Sequence, residues 1–478
     1  MNKKIFIRLL CAVLVIVMLL PAVIACKKEE LPEESDTQEV TSTQEDNGDA
    51  PTPYMDDFGG YEFKVLTRKG GTYESNDITA DLTGSVVDQA VYQRNAALQQ
   101  KYNFKIVETK ESKYVDEAKA QGSSGEHVYD MWSFAMNEMA NLAQEGYLYN
   151  LNEVNGLNLD APYYDQNTRE NASFANYLFV LTGDMLTADD ISTNVTLMNK
   201  KLYEEYKLEE IYGNIYDVVM DGKWTFEKMK TYASKAYGDD DGDGIMTAKD
   251  RWAGSCQKGH LGNFYIAFGH DILKKTSDDT FVLNEDAELI SNLQELFEYL
   301  RGPSHYWKND FGDLYTRGNQ LFWYCQIAHV NTVRAAGIEN IILPNPKYDE
   351  DQSDYYTFVP CYGSNCITIC STVKNVDLVA SIIELTSYES MNTVTPALME
   401  YLLDGRIIDN YRDAEVLEKI LDTRTYSYND FWSTGGVVSA LGVQLESGST
   451  DIAHVFGAAK TEVTASVQRK LERLQRLG

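Results

Sequence analysis

The most specific chemical pattern in this sequence is one acidic stretch, Asp239-Asp240-Asp241-Gly242-Asp243-Gly244-Ile245-Met246-Thr247-Ala248-Lys249-Asp250. Carboxylates stand at positions 1, 3, 5 and 12 of the run, and glycine stands at position 6, where the chain must bend tightly. A hard divalent cation takes about six to eight oxygen ligands, and this spacing supplies them. Asp239, Asp241, Asp243 and Asp250 would give carboxylates, Ile245 its backbone carbonyl, and Thr247 a hydroxyl or a held water. The expected cofactor is therefore structural Ca2+, with an acidic solvated turn as the alternative. Position 12 is Asp where the template has Glu, so its reach is shorter.

Other catalytic patterns are missing from the sequence. The six histidines are scattered singly, with no H-E-x-x-H and no pair at helical spacing, which leaves metalloprotease chemistry unsupported. No G-x-S-x-G elbow and no phosphate-cradling glycine loop occurs. With 73 Asp and Glu, a glycosidase pair of carboxylates stays open, although abundance alone does not favour one.

The first residues read as an address. Lys3, Lys4 and Arg8 precede an apolar run over residues 9–25 that closes on Val23-Ile24-Ala25-Cys26, the layout of a cleaved export signal at 1–25. The closing tetrapeptide resembles the bacterial lipobox. That resemblance implies that Cys26 becomes the first residue of the mature chain and carries lipid, anchoring it to the extracytoplasmic face of the cell membrane. Residues 26–57 follow with eleven acidic residues against two lysines and hardly any apolar side chain, so they cannot bury enough surface to fold and read as an acidic disordered stalk. No later apolar run approaches the ~20 residues of a helical span. The remaining body is too long for one compact core and suits two lobes.

The chain carries a formal net charge of −31, which repels phosphate backbones and anionic headgroups and excludes nucleic acid as a partner. Beyond Cys11 and Cys26, five cysteines remain: Cys256, Cys325, Cys361, Cys366 and Cys370. An odd number is no disulfide framework, and their spacing matches no paired metal motif. Small buried hydrophobes are expected, with a Cys361–Cys366 bridge as the alternative.

The elements that must position any site can be read from periodicity. Residues 61–66 alternate as a strand, residues 86–102 repeat apolar positions at helical steps, and 103–107 form the next strand, a parallel βαβ unit. Residues 128–132 then run as a strand into a helix over 137–145 that stops at Gly146. The carboxyl end of a strand meeting a helix is where ligands lie in open α/β sheets, which singles out Trp132 and Ser133. Further strands are expected at 177–183, 340–343 and 358–369. A helix is capped by Thr225, and an amphipathic helix closes the chain over 463–477.

Several strings along the body resemble one family. They are Arg94-Asn95 through Lys101-Tyr102-Asn103, Tyr129-Asp130, Gly146-Tyr147-Leu148 with Leu151-Asn152, Met198-Asn199-Lys200-Lys201-Leu202, Gly222-Lys223-Trp224-Thr225, and Leu343-Pro344-Asn345-Pro346-Lys347-Tyr348-Asp349-Glu350. Taken in this order, they resemble the extracellular solute-binding lipoproteins of bacterial ABC importers, family 1, sugar-binding type. The resemblance implies an α/β fold of two lobes, periplasmic-binding-protein-like and of type II, with a hinge and an interlobe cleft. Lobe 1 would comprise 58–188 and 358–400, and lobe 2 189–357 and 401–478. It further implies a monomeric, non-enzymatic protein that captures a mono- or oligosaccharide and delivers it to the ABC permease in the membrane. A peptide or other polar nutrient and a lipid-anchored glycoside hydrolase are the alternatives.

Sugar recognition needs flat apolar rings for the C–H face of a pyranose and planar polar groups for its hydroxyls. Candidate rings are Trp132, Trp252, Trp323, Tyr324, Tyr362 and Trp432, and candidate polar groups are Asp130, Asp184, Asn194 and Arg334. Trp132, at its strand-to-helix junction, and Asp184, beside the expected hinge, lead the set. Trp224 is assigned to packing.

Overall fold

The computed structural model describes residues 50–307, 312–403 and 411–477. The export signal, Cys26 and most of the acidic stalk lie outside the described residues.

The first lobe is built on strand β1 (Tyr61–Arg68), whose Phe63, Val65 and Leu66 are buried. Helix α1 (Val86–Tyr102) starts at a capping box in which Ser85 and Asp88 satisfy each other's backbone N–H groups, and ends at Asn103 with φ 52°. Strand β2 (Phe104–Glu111) returns parallel to β1, in register from Tyr61 opposite Phe104 to Arg68 opposite Glu111. Strand β3 (Met131–Ser133) joins the other edge of β1 and leads into helix α2 (Met136–Gln144). The expected βαβ unit is thus present, with strand ends moved by a few residues.

Residues 177–183, expected as a strand, make only isolated bridges such as Leu181 with Ile367. Their entry is a tight turn with positive φ at Ala175 and Asn176, which leaves no straight run to pair. From there the chain crosses to the second lobe through helix α3 (Ala188–Ser192).

Strand β4 (Asn194–Asn199) opens a five-stranded sheet with β5 (Trp252–Cys256), β8 (His305–Trp307), β9 (Gln320–Gln326) and β10 (Asn340–Leu343), in the order β10-β4-β9-β5-β8. β4 runs antiparallel to both its neighbours, whereas β5, β8 and β9 are mutually parallel where they pair. After β5 come helix α4 (Leu261–Ala267) and a hairpin of β6 (Leu273–Lys275) and β7 (Phe281–Leu283).

The chain returns at β11 (Thr357–Phe358). The expected strand 358–369 is otherwise irregular: Pro360 accepts from the N–H groups of Gly363 and Ser364 in a turn, and β3 is met by the Thr368 hydroxyl, which donates to the Trp132 carbonyl at 2.7 Å. Proline lacks the N–H a ladder needs, and the turn breaks the register. The two crossings touch at Ser192 and Gly363, where a Cβ on the glycine would stand 2.6 Å from the Ser192 Cβ. Asn194 donates to the Phe358 carbonyl at 3.1 Å and ties them again.

Helix α5 (Val376–Leu403) packs along α1, and α6 (Tyr411–Asp422) packs on β10. Strand β12 (Arg424–Thr425) pairs with β11. Helix α7 (Tyr428–Trp432) and the closing helix α8 (Ile452–Leu474) both reach α2 of the first lobe, while α8 also covers β7. These two helices thus touch the first lobe as well as the second. The five cysteines from Cys256 to Cys370 are free and buried, so the Cys361–Cys366 bridge is not formed. No described helix is long and apolar enough to cross a membrane.

Candidate functional site

The parallel strands of both sheets point their carboxyl ends toward the crossings. β1 ends at Arg68, a buried guanidinium whose Nε donates to the Tyr73 carbonyl at 2.8 Å. Its Nη1 and Nη2 donate to the carbonyls of Tyr362 and Gly363 at 3.0 and 2.8 Å. Arg68 thus clamps the loop after β1 to the second crossing. Within this frame the Tyr73 hydroxyl donates to Gln326 Oε1 at the end of β9, and Gln326 Nε2 donates to the Tyr362 hydroxyl at 3.1 Å. The rings of Tyr73 and Tyr362 meet edge to face at 5.8 Å. Residues from lobe 1, lobe 2 and the crossing so converge on one place.

Beside this network lies a cavity of about 320 Å³ lined by Lys258, Gly262, Phe358, Tyr362, Asn429, Asp430 and Thr434, among others. Tyr362 is 50% exposed, a ring face available to a ligand. Asn429 and Thr434 are buried, yet Asn429 Oδ1 and Thr434 Oγ1 have no hydrogen-bond partner among the described residues. Unpaired polar atoms in a buried wall cost free energy unless a ligand or water completes them. Asp430, in contrast, accepts from Cys361 N at 2.6 Å, which fixes the crossing. His260, at the same end of β5, is pushed down to about 4 by burial and so stays neutral. A ring, an amide, a hydroxyl and an exposed ammonium suit an uncharged ligand rich in hydroxyls.

Of the residues singled out in the sequence, Tyr362 alone combines a cleft position with an exposed ring. Trp132 is fully buried in the core of lobe 1 and has no face to offer. Asp130 is 1% exposed and occupied, accepting from the Tyr61 hydroxyl at 2.6 Å and from Lys64 N at 2.7 Å, with His127 Nε2 at 2.7 Å. Asn194 is the crossing tie described above. Trp432 is wedged against Phe174 and Phe431, with ring centroids 5.1 and 5.0 Å away. Trp323 packs between Tyr315 and His329, Tyr324 against Phe264, and all are buried or nearly so. Arg334 is half-buried on a short helix, Val330–Ala335, outside the cleft lining. Asp184 lines a different cavity, beside the first crossing.

Sequence reasoning missed Tyr73, Asn429 and Thr434. Tyr73 follows the carboxyl end of β1, so the strand-end rule applied to Trp132 would have found it.

The acidic loop is a tight turn in which the position-6 glycine, Gly244, adopts φ 79°. Gly242 adopts φ 71°, a backbone conformation that favours glycine, and Asp239 accepts from the N–H groups of Gly242 and Gly244 at 2.8 and 2.7 Å. Carboxylate oxygens of Asp239, Asp241 and Asp243 lie within 4.8 Å of one another and are exposed. Asp250 closes the loop, accepting from Thr247 N at 2.6 Å and Asp240 N at 3.1 Å. Trp252 anchors it to β5 by donating from Nε1 to the Thr247 carbonyl at 2.8 Å.

Scanned against models of protein families the sequence matches none, and a search of curated protein sequences finds no match. Solved structures do match its fold. A cyclo/maltodextrin-binding protein complexed with maltotetraose superposes with a TM-score of 0.57 at 13% identity, covering 87% of this chain and 99% of that one. The galacto-N-biose-/lacto-N-biose I-binding protein of the ABC transporter from Bifidobacterium longum, in complex with lacto-N-biose, gives 0.55 at 13%, over 87% and 99%. An ABC substrate-binding protein from Listeria monocytogenes in complex with cycloalternan gives 0.53 at 13%, over 86% and 99%. At these identities the likeness shows the fold: two lobes of the periplasmic-binding-protein type.

Proposed function

We propose that this chain is the solute-binding subunit of an ABC importer, capturing a mono- or oligosaccharide in the cleft at Tyr362 and delivering it to the membrane permease. The observation that carries the reading is the cavity itself, where an exposed ring stands beside the unpartnered Asn429 Oδ1 and Thr434 Oγ1. The saccharides bound by the structures of similar fold agree with that chemistry. The protein acts as a monomer outside the membrane, held there by lipid on Cys26. Binding without turnover is part of the same reading: Asp430, the one carboxylate among the described residues that line the cavity, accepts from Cys361 N. Calorimetry with a panel of neutral saccharides tests this; saturable binding without product release is expected, and release of a shortened sugar would replace the reading with a hydrolase. For the anchor, Cys26→Ser should move the protein from the membrane fraction to the soluble one.

The acidic loop is proposed as a Ca2+ site held by Asp239, Asp241, Asp243 and Asp250, with the Ile245 carbonyl and Thr247. The three convergent carboxylates fit such an ion, and each retains lone pairs beyond those given to the backbone. Bound there, the ion would pin the loop to β5 and take no part in sugar capture.

A further inference from the structure

A second cavity, of about 230 Å³, shares no lining residue with the cleft. Its walls are the first crossing, the turn at residues 162–165, and parts of α5, α6 and β12. Asp165, Asp184, Asp189 and Asp190 gather there around Arg424, the only basic group among the described residues that line it, and the exposed Glu418 and Asp422 line it as well. Arg424 Nη1 pairs with Asp190 and lies 3.5 Å from Asp189 Oδ2, and Nη2 lies 3.6 Å from Asp165 Oδ2. Asp184 accepts from the Thr395 hydroxyl at 2.5 Å. One guanidinium cannot neutralise four carboxylates, and uncompensated charge is costly where water is excluded.

Asp189 sharpens the imbalance. It is 1% exposed, its Oδ2 accepts from the Tyr426 hydroxyl at 3.0 Å, and its Oδ1 has no partner among the described residues. Leu398, Met399 and Leu421 add apolar surface to the lining, with Glu418 and Asp422 beside Leu421 on α6. Among the described residues, the only three acidic side chains whose ligand atoms all converge within 4.8 Å are those of the acidic loop, so this cavity lacks the tight oxygen cage of a divalent metal.

We propose that the cavity beside the first crossing binds a small aliphatic ammonium ion, its charged head against Asp189 and Asp184 and its carbon chain along Leu398, Met399 and Leu421. That apolar surface and the volume accommodate an alkyl body that an inorganic ion would leave unused. Protons offset part of this charge: burial raises Asp184 to about 6, Asp189 is raised by burial and by Asp190, and Asp190 by burial and by Asp184. An arriving ammonium ion displaces those protons. This site is independent of the cleft and of the saccharide reading.

Calorimetry at pH 6.5 and low ionic strength, with 1,4-diaminobutane and butylamine as probes and Na+ and Ca2+ as controls, tests the assignment. Saturable one-to-one amine binding is expected, with proton release seen as a dependence of the heat on buffer ionisation enthalpy. Asp189→Asn should weaken it at least tenfold, and Met399→Trp, which fills the cavity without touching a carboxylate, should abolish it. Tyr362→Ala should leave amine affinity unchanged. Absence of amine binding, binding to which both Asp189→Asn and Met399→Trp are indifferent, or preference for Ca2+ here would overturn the proposal.

Discussion

Trp132 and Tyr362 show how one residue type can serve opposite ends. Both are aromatic and both sit near a strand end, yet Trp132 is fully enclosed and Tyr362 half exposed. Replacing Trp132 by Ala should cost about 3–5 kcal/mol of stability, in the range for an enclosed large aromatic. Urea unfolding measures that, and a loss below 1 kcal/mol would move the ring out of the core. Tyr362→Ala should instead leave the melting temperature nearly unchanged and weaken saccharide binding tenfold or more. A variant that binds as tightly as the parent would take this ring out of the site. Asn429→Ala should also weaken binding, because its Oδ1 is an acceptor without a hydrogen-bond partner among the described residues.

At the scale of elements, the acidic loop is tied up by its own hydrogen bonds. Gly242 and Gly244 point their N–H groups at Asp239, Asp250 closes the far end, and Trp252 fixes the loop to β5. Calcium should therefore raise the melting temperature and EDTA lower it, by linkage of ion binding to folding. Asp239→Asn with Asp241→Asn should erase the difference; identical melting curves with and without Ca2+ in the parent protein would remove the site. The hairpin β6–β7 works as another local device. Lys275 and Asp279 grip Ser173 and the backbone of residues 170–176, while Phe281 stacks on Phe174 at 5.1 Å, which binds lobe 2 to lobe 1 away from the crossings.

For the whole molecule, two lobes linked by crossings at residues 183–193 and 358–364 make hinge bending the natural response to a ligand held between them. Small-angle scattering should show a smaller radius of gyration with saturating saccharide, and an unchanged radius would mean that the lobes are already fixed, with α8 and the β6–β7 hairpin as the straps. Acidity acts at the first crossing. Asp184 has a folded-state pKa near 6 against an ordinary 3.8, so its stabilising contribution is fully present below about 4 and is lost as pH rises through 6. Asp184→Asn should flatten the fall in melting temperature over that window; parallel curves for parent and variant would show that the carboxyl is not titrating there.

The sequence by itself determined what depends on neighbours along the chain. The βαβ unit, the helix over 86–102, the cap at Thr225 and the core role of Trp224 all follow from local spacing, and the structure bears them out. The buried, unbridged state of the cysteines was legible in the same way, from their odd number and apolar setting. Only the tertiary structure decided which aromatics face the cleft, because burial depends on what packs from far along the chain: Trp432 is covered by Phe174, and Trp132 by the core between β3 and the returning chain. It also decided that residues 359–369 form no ladder and that α7 and α8 reach the first lobe as well as the second. Those outcomes rest on contacts hundreds of residues apart, which periodicity cannot register.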